Sequence, residues 1–140
     1  MPYAFVNLYI HTVFSTKNRE LLITHMLKRQ IYGMMVKELG KMDCKIIAIN
    51  GMPDHVHLLF KLKAAQNLAK IIKQVKGASS RQIDELGIIE NFEWQVDYGA
   101  FSVSKSLVEK TKLYIDNQER HHSNMGFDEE YKRLLSLNGF

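Results

Sequence analysis

Two short patterns in this chain could do chemistry: a histidine pair, His55-Val56-His57, and a tyrosine followed four residues later by a glutamine, Tyr114 and Gln118. Within Asp54-His55-Val56-His57-Leu58-Leu59-Phe60 the apolar positions alternate. On a β-strand, Val56, Leu58 and Phe60 then share one face and both histidines the other. Adjacent imidazoles on one face can share a divalent metal through their ring nitrogens; the same pattern also fits two half-exposed histidines without a ligand. At helical spacing Tyr114 and Gln118 lie about 40° apart on one face, and Lys110 and His121 fall on that face too. Read alone, this helix equally fits a packing tyrosine beside a solvated glutamine. The combination is more specific, because phosphodiester cleavage by a side chain needs a nucleophile, a Lewis acid on the phosphate and a surface that holds nucleic acid. A free phenol titrates near 10, so only about one molecule in a thousand is phenolate at neutral pH. The metal, Lys110 or a nearby base must lower that cost.

The elements that position these residues are legible in outline. Phe5 to Ser15 alternates, with Val6, Leu8, Ile10 and Phe14 on one side and Asn7, Tyr9, His11 and Ser15 on the other, which predicts a half-buried strand. His11 can therefore face the same side of the sheet as the histidine pair. From about Glu20 to Leu39 apolar residues recur at three and four, predicting a helix that Gly40 stops. Lys45 to Asn50 and His55 to Leu62 are strand-like runs flanking Asn50-Gly51-Met52-Pro53-Asp54, which predicts a hairpin. Asn67 caps a second helix, in which Leu68, Ile71, Ile72 and Val75 oppose Lys70, Lys73, Lys76 and Arg81. Gly77 is expected to bend or break it. Trp94 to Ser104 predicts a fourth strand, residues 105–122 a tyrosine-bearing helix capped by Ser104, and Phe127 to Leu137 a short helical tail. The order is that of a split βαβ, ferredoxin-like α+β fold: an antiparallel four-stranded sheet, two helices on one face, and the other face open for a ligand or partner.

With 140 residues, 46% of them hydrophobic, the chain is expected to form one domain over residues 1–140. The single cysteine, Cys44, excludes an internal disulfide, and no apolar run approaches the roughly 20 residues of a membrane span. Met1-Pro2-Tyr3 begins no signal peptide, so a cytoplasmic, membrane-free protein is expected. The net charge of +4 is mild evidence for an anionic partner, but its distribution says more: Lys61, Lys63, Lys70, Lys73, Lys76 and Arg81 fall in one stretch without an acid. Such a run suits a phosphate backbone, making Lys70, Lys73, Lys76 and Arg81 candidate DNA contacts; Lys110, on the tyrosine helix, is a further candidate as a phosphate or phenolate partner, with a solvated face as the alternative. Trp94, Tyr98 and Phe101 could stack on bases, although aromatics in a strand more often serve the core.

The strand DHVHLLF, the helix KLYIDNQ, the intervening FEWQVDYGAFSVS, and the flanking HTVFSTK and QERHH together resemble the HUH single-tyrosine transposases of small insertion sequences, the TnpA type, and their relatives associated with dispersed palindromic repeats. The resemblance implies that His55, His57 and Gln118 are metal ligands and that Tyr114 is the nucleophile. It further implies Mg²⁺ or Mn²⁺ as cofactor, no nucleotide cofactor, and cleavage and rejoining of single-stranded DNA through a 5′-phosphotyrosine. The substrates would carry hairpins at element ends, and the enzyme would be a homodimer in a prokaryotic cell whose tyrosine helix can serve the partner's histidines. Competing readings are a catalytically idle or domesticated nucleic-acid-binding domain on the same fold, a processing enzyme for dispersed palindromic repeats, a metal hydrolase that activates water, and a metal-sensing dimer.

Overall fold

The computed structural model describes residues 4–123 and 125–140; the first three residues, on which the leader expectation rested, lie outside it. The elements are β1 (Leu8–Ser15), a 3-10 turn (Lys17–Arg19), α1 (His25–Lys41), β2 (Lys45–Met52), β3 (His55–Leu62), α2 (Leu68–Leu86), β4 (Gly99–Val103), a second 3-10 turn (Lys105–Leu107), α3 (Val108–Asp116), α4 (Gln118–His121) and α5 (Phe127–Leu137). The strands form one sheet in the order β2-β3-β1-β4, with every neighbouring pair antiparallel. This is the expected ferredoxin-like α+β arrangement. Among the described residues no helix is long and apolar enough to cross a membrane.

Alternation along β3 sorts the two faces. Val56, Leu58 and Phe60 join Phe14 of β1 with Ile31, Met35 and Leu39 of α1 and Ile71, Ile72 and Val75 of α2 in the main core. The opposite face is covered, not open as expected. Leu59 and Ala48 pack against Val108 and Ile115 of α3, and Val13 and Phe101 pack against Phe127 of α5. These apolar residues interleave with the histidines, and leaving them bare would forfeit about 1.5–3 kcal/mol for each large side chain.

Local differences from the sequence reading have identifiable causes. β1 starts at Leu8, opposite Leu62 at the end of β3, so Phe5 lies beyond its ladder partner and is exposed. The predicted start of α1 at Glu20 falls in a tied segment instead: Leu22 and Ile23 donate to the Pro53 carbonyl at 3.1 and 2.9 Å. Gly40 is helical, and the chain turns at Asp43, whose φ is 58°. Asn67 caps α2 by accepting from the Lys70 amide. The helix then runs unbroken through Gly77, next to buried Ala78 and Ser79, and ends at left-handed Gly87. In place of a strand from Trp94, β4 begins at Gly99, and Trp94 makes only an isolated bridge to Thr16. At Gly51 the hairpin is so tight that a Cβ would lie 2.1 Å from the His55 carbonyl oxygen, so only glycine fits.

Candidate active site

The face of β3 that carries His55 and His57 looks into a closed polar cluster in which both histidines are fully buried (0% exposed). Each has its second ring nitrogen held. His55 Nδ1 lies 2.7 Å from the Asp54 carboxylate, which fixes the proton on Nδ1 and turns Nε2 inward. Burial pulls the His55 pKa down, but Asp54 and a second carboxylate, Glu130, outweigh it and raise it to about 9. His57 Nδ1 lies 2.8 Å from His11 Nε2. Burial lowers His57 below the ordinary imidazole value, and burial together with His57 lowers His11 to about 3. A neutral His11 can donate to or accept from His57, so His57 can carry its proton on either nitrogen. His11 thus lies on the face anticipated for it, with a structural partner the sequence did not show.

Tyr114 and Gln118 arrive from the far side. The tyrosine helix is not continuous over residues 105–122: Ser104 makes no side-chain cap, and the backbone leaves helical geometry at Asn117 (φ −99°, ψ 24°), separating α3 from α4. Asn50 of β2 anchors this break, its Nδ2 donating to the carbonyls of Ile115 and Asp116 at 3.0 and 3.1 Å. Asn50 reaches α3 because a bulge between Ile46 and Ala48 shifts the face on which later residues of β2 lie. Gln118 is fully buried, with its Oε1 3.0 Å from His55 Nε2. The half-buried Tyr114 ring stacks on His121 at 4.5 Å between centroids and meets His57 edge-on at 5.9 Å.

At the centre is Glu130, from α5, only 1% exposed. Its Oε1 lies 3.1 Å from His55 Nε2, 3.2 Å from His57 Nε2 and 2.8 Å from His122 Nε2. Its Oε2 accepts from the Tyr114 hydroxyl and, at 2.8 Å, from Gln118 Nε2. Burial raises a carboxyl pKa, but the donors from His55, His57 and Tyr114 outweigh it and keep Glu130 well below the usual carboxylate range. Burial, then Glu130, push the Tyr114 phenol up. Sequence reasoning missed Glu130 and His122. The available signal was position: Glu130 lies three residues after Phe127 and four before Leu134, on the apolar stripe of α5, where a carboxylate requires a partner.

His55, His57, Tyr114 and Gln118 are therefore brought together, whereas the candidate DNA contacts are scattered. Lys70, Lys73 and Arg81 are exposed on α2, across the sheet from the histidines. Lys110 is exposed on α3, on the tyrosine side. Lys76 points its ammonium at the carbonyls of Val96 and Asp97, each at 3.2 Å, and lies over the Phe14 ring; burial lowers its pKa. Trp94 is a core residue, donating to Ser79 Oγ at 2.9 Å, and Phe101 is buried as well.

Residues 4–118 match the family described as "Transposase IS200 like". The ISDra2 transposase TnpA of Deinococcus radiodurans is 25% identical over 115 residues, 77% of this chain and 81% of that protein. A crystal structure of a protein from D. radiodurans R1 described as a transposase superposes with a TM-score of 0.68 at 22% identity, covering 84% of this chain and 95% of that one. The structure of a REP-associated tyrosine transposase bound to a REP hairpin gives a TM-score of 0.65 at 14% identity, over 87% of this chain and 72% of that one.

Proposed function

Since the chain belongs to the IS200-like transposase family, we propose that it cleaves and rejoins single-stranded DNA with Tyr114 as nucleophile. The observation that carries this reading is convergence. The Tyr114 hydroxyl and the Nε2 atoms of His55 and His57 all contact one buried carboxylate, and the Gln118 amide oxygen faces His55 Nε2. Two imidazoles that meet at one carboxylate oxygen, with an amide oxygen 3.0 Å from the first of them, are donors of the kind that hold a divalent cation. His55, His57 and Gln118 would hold Mg²⁺ or Mn²⁺, and when bound the cation supplies Lewis-acid polarisation of the scissile phosphate.

The protein's own groups account for the remaining chemistry. Asp54 and His11 fix the orientation of the two imidazoles through their Nδ1 atoms. The Tyr114 proton is already directed at Glu130 Oε2, which can hold it as the phenol oxygen attacks phosphorus. A Tyr–O–P bond forms, the P–O3′ bond breaks, and the leaving oxygen takes a proton to become a 3′-hydroxyl. Phosphodiester energy stays in the 5′-phosphotyrosine, so rejoining to another 3′-hydroxyl needs no nucleotide cofactor. DNA folded into a hairpin is the substrate suggested by the REP-hairpin complex of the related transposase. The homodimer implied by resemblance stays part of this reading, and the contacts of Tyr114 with Glu130 and His57 of its own chain support a tyrosine helix that serves its own subunit.

The test is a denaturing-gel assay with labelled single-stranded and duplex oligonucleotides from the DNA flanking the gene, with Mg²⁺ or Mn²⁺. A covalent adduct on single strands, absent with chelator and in Tyr114→Phe, is the expected result. Cleavage without an adduct would replace the tyrosine by activated water, and binding without cleavage would leave a DNA-binding domain.

A further inference from the structure

The histidine pair and Gln118 are neutral donors, so a divalent cation held by them alone would leave two positive charges uncompensated in a site whose side chains are essentially excluded from water. Buried charge in that state is heavily penalised unless paired. The structure supplies the compensation from outside the matched family segment, which ends at residue 118. His122 and Glu130 lie beyond it. Ligand atoms of His55, His122 and Glu130 all lie within 4.8 Å of one another, and three imidazole Nε2 atoms surround the single oxygen Oε1 of Glu130 at 2.8 to 3.2 Å.

We propose that Glu130 and His122 are additional ligands of the metal centre, Glu130 as its anionic oxygen donor and His122 as a third imidazole. This rests on the reading of His55 and His57 as metal ligands. Three lines of chemistry support it. Mg²⁺ and Mn²⁺ favour oxygen ligands, and a carboxylate both satisfies that preference and halves the net charge of the site. The Glu130 oxygens are divided by role, Oε1 toward the imidazoles and Oε2 toward Tyr114 and Gln118, so coordination through Oε1 leaves Oε2 on the nucleophile. Finally, without metal the same carboxylate pairs with imidazole N–H groups, which explains how so polar a cluster stays buried.

The experiment is Mn²⁺ binding to the full chain, followed by calorimetry and by the loss of the free-ion electron paramagnetic resonance signal, in His55→Ala, Glu130→Gln, His122→Ala and, as a control on the exposed side of α5, Asp128→Asn. Thermal melts identify folded variants. The expected result is at least tenfold weaker Mn²⁺ binding in Glu130→Gln and about threefold to tenfold weaker binding in His122→Ala, with Asp128→Asn unchanged. Should Glu130→Gln fail to fold, His122→Ala decides. Wild-type or tighter binding in Glu130→Gln, or in His122→Ala if that variant decides, would overturn the assignment while leaving the histidine pair intact, the carboxylate then being a staple or a competitor. Unchanged binding in His55→Ala would instead remove the metal reading of the pair itself, and this inference with it.

Discussion

Asn50 is the residue whose replacement most directly tests how Tyr114, the proposed nucleophile, is held. Its Nδ2 bonds the last two carbonyls of α3, at 3.0 and 3.1 Å, one of them partly buried and the other exposed. Carbonyls in the last turn of a helix lack the amide four residues on, although the Asn117 N–H also approaches that of Ile115. A net hydrogen bond contributes about 0.5–1.5 kcal/mol, so Asn50→Ala removes about 1–2 kcal/mol once the exposed bond is discounted. Asn50→Asp is worse than alanine, because it sets an acceptor-only carboxylate against two carbonyl oxygens at the negative end of a helix, adding about 0.3–1 kcal/mol. About 1.4 kcal/mol is a factor of ten in a rate or population, and a 1 Å displacement of a reacting group can cost on the order of 100-fold. Adduct formation on a denaturing gel should therefore slow by about tenfold in Asn50→Ala and further in Asn50→Asp. Urea midpoints should fall in the same order, while Mn²⁺ affinity changes by less than about tenfold, since His55 and His57 sit on β3. An alanine variant at wild-type speed, or an aspartate variant gentler than alanine, would refute the anchoring argument.

Other outcomes follow from the same geometry. Tyr114→Phe should abolish the covalent adduct yet retain DNA binding within about threefold, measured by fluorescence anisotropy. Lys76→Met should lower the urea unfolding free energy by about 1.5–3 kcal/mol, the range for a hydrogen bond involving a charged group, and leave the salt dependence of DNA binding unchanged; a slope reduced by about one would mean that Lys76 reads phosphate after all. Removing metal with chelator should stop adduct formation without unfolding the protein, because Glu130 already contacts three imidazoles; circular dichroism checks this. A mixture of His57→Ala and Tyr114→Phe subunits should remain inactive when co-purified as a mixed oligomer if Tyr114 keeps its contacts with the histidine cluster of its own chain, whereas restored cleavage would show a site shared between two subunits.

The sequence showed the histidine strand and the tyrosine helix because their signals are local. Period two across residues 55–60 assigns faces without knowledge of anything else, and β3 has the predicted bounds. Spacing by four put Tyr114 and Gln118 on one side, and this survived the break at Asn117 because both residues still face Glu130. Features that depend on long-range pairing were not visible. The bulge in β2 directs Asn50 toward α3, yet its stretch Lys-Ile-Ile-Ala-Ile-Asn reads as an ordinary strand. Lys76 lies on the solvent side of α2 by helical phase, but the loop after Trp94 returns to place its carbonyls at the ammonium. Glu130 is the largest omission. In Asp128-Glu129-Glu130 it resembles one more first-turn acid favoured by the helix dipole.

The burial of the site follows from a fact that the sequence contained but that faces alone did not resolve. On the histidine side of the sheet, Ala48, Leu59, Val13 and Phe101 interleave with His11, His55 and His57. Such a mixed face cannot stay open without exposing its apolar members, nor close without enclosing its polar ones. α3 and α5 close it, and closing is tolerable because the imidazoles on the strands and His122 find partners: Asp54 for His55, His11 for His57, and Glu130 for both and for His122. A site closed in this way must carry its own negative charge to accept a divalent cation. The helix that shuts the face is also the one that brings the carboxylate, so loss of α5 packing at Phe127, which stacks on His55 at 4.3 Å, should weaken Mn²⁺ binding in Phe127→Ala even though that ring offers no ligand.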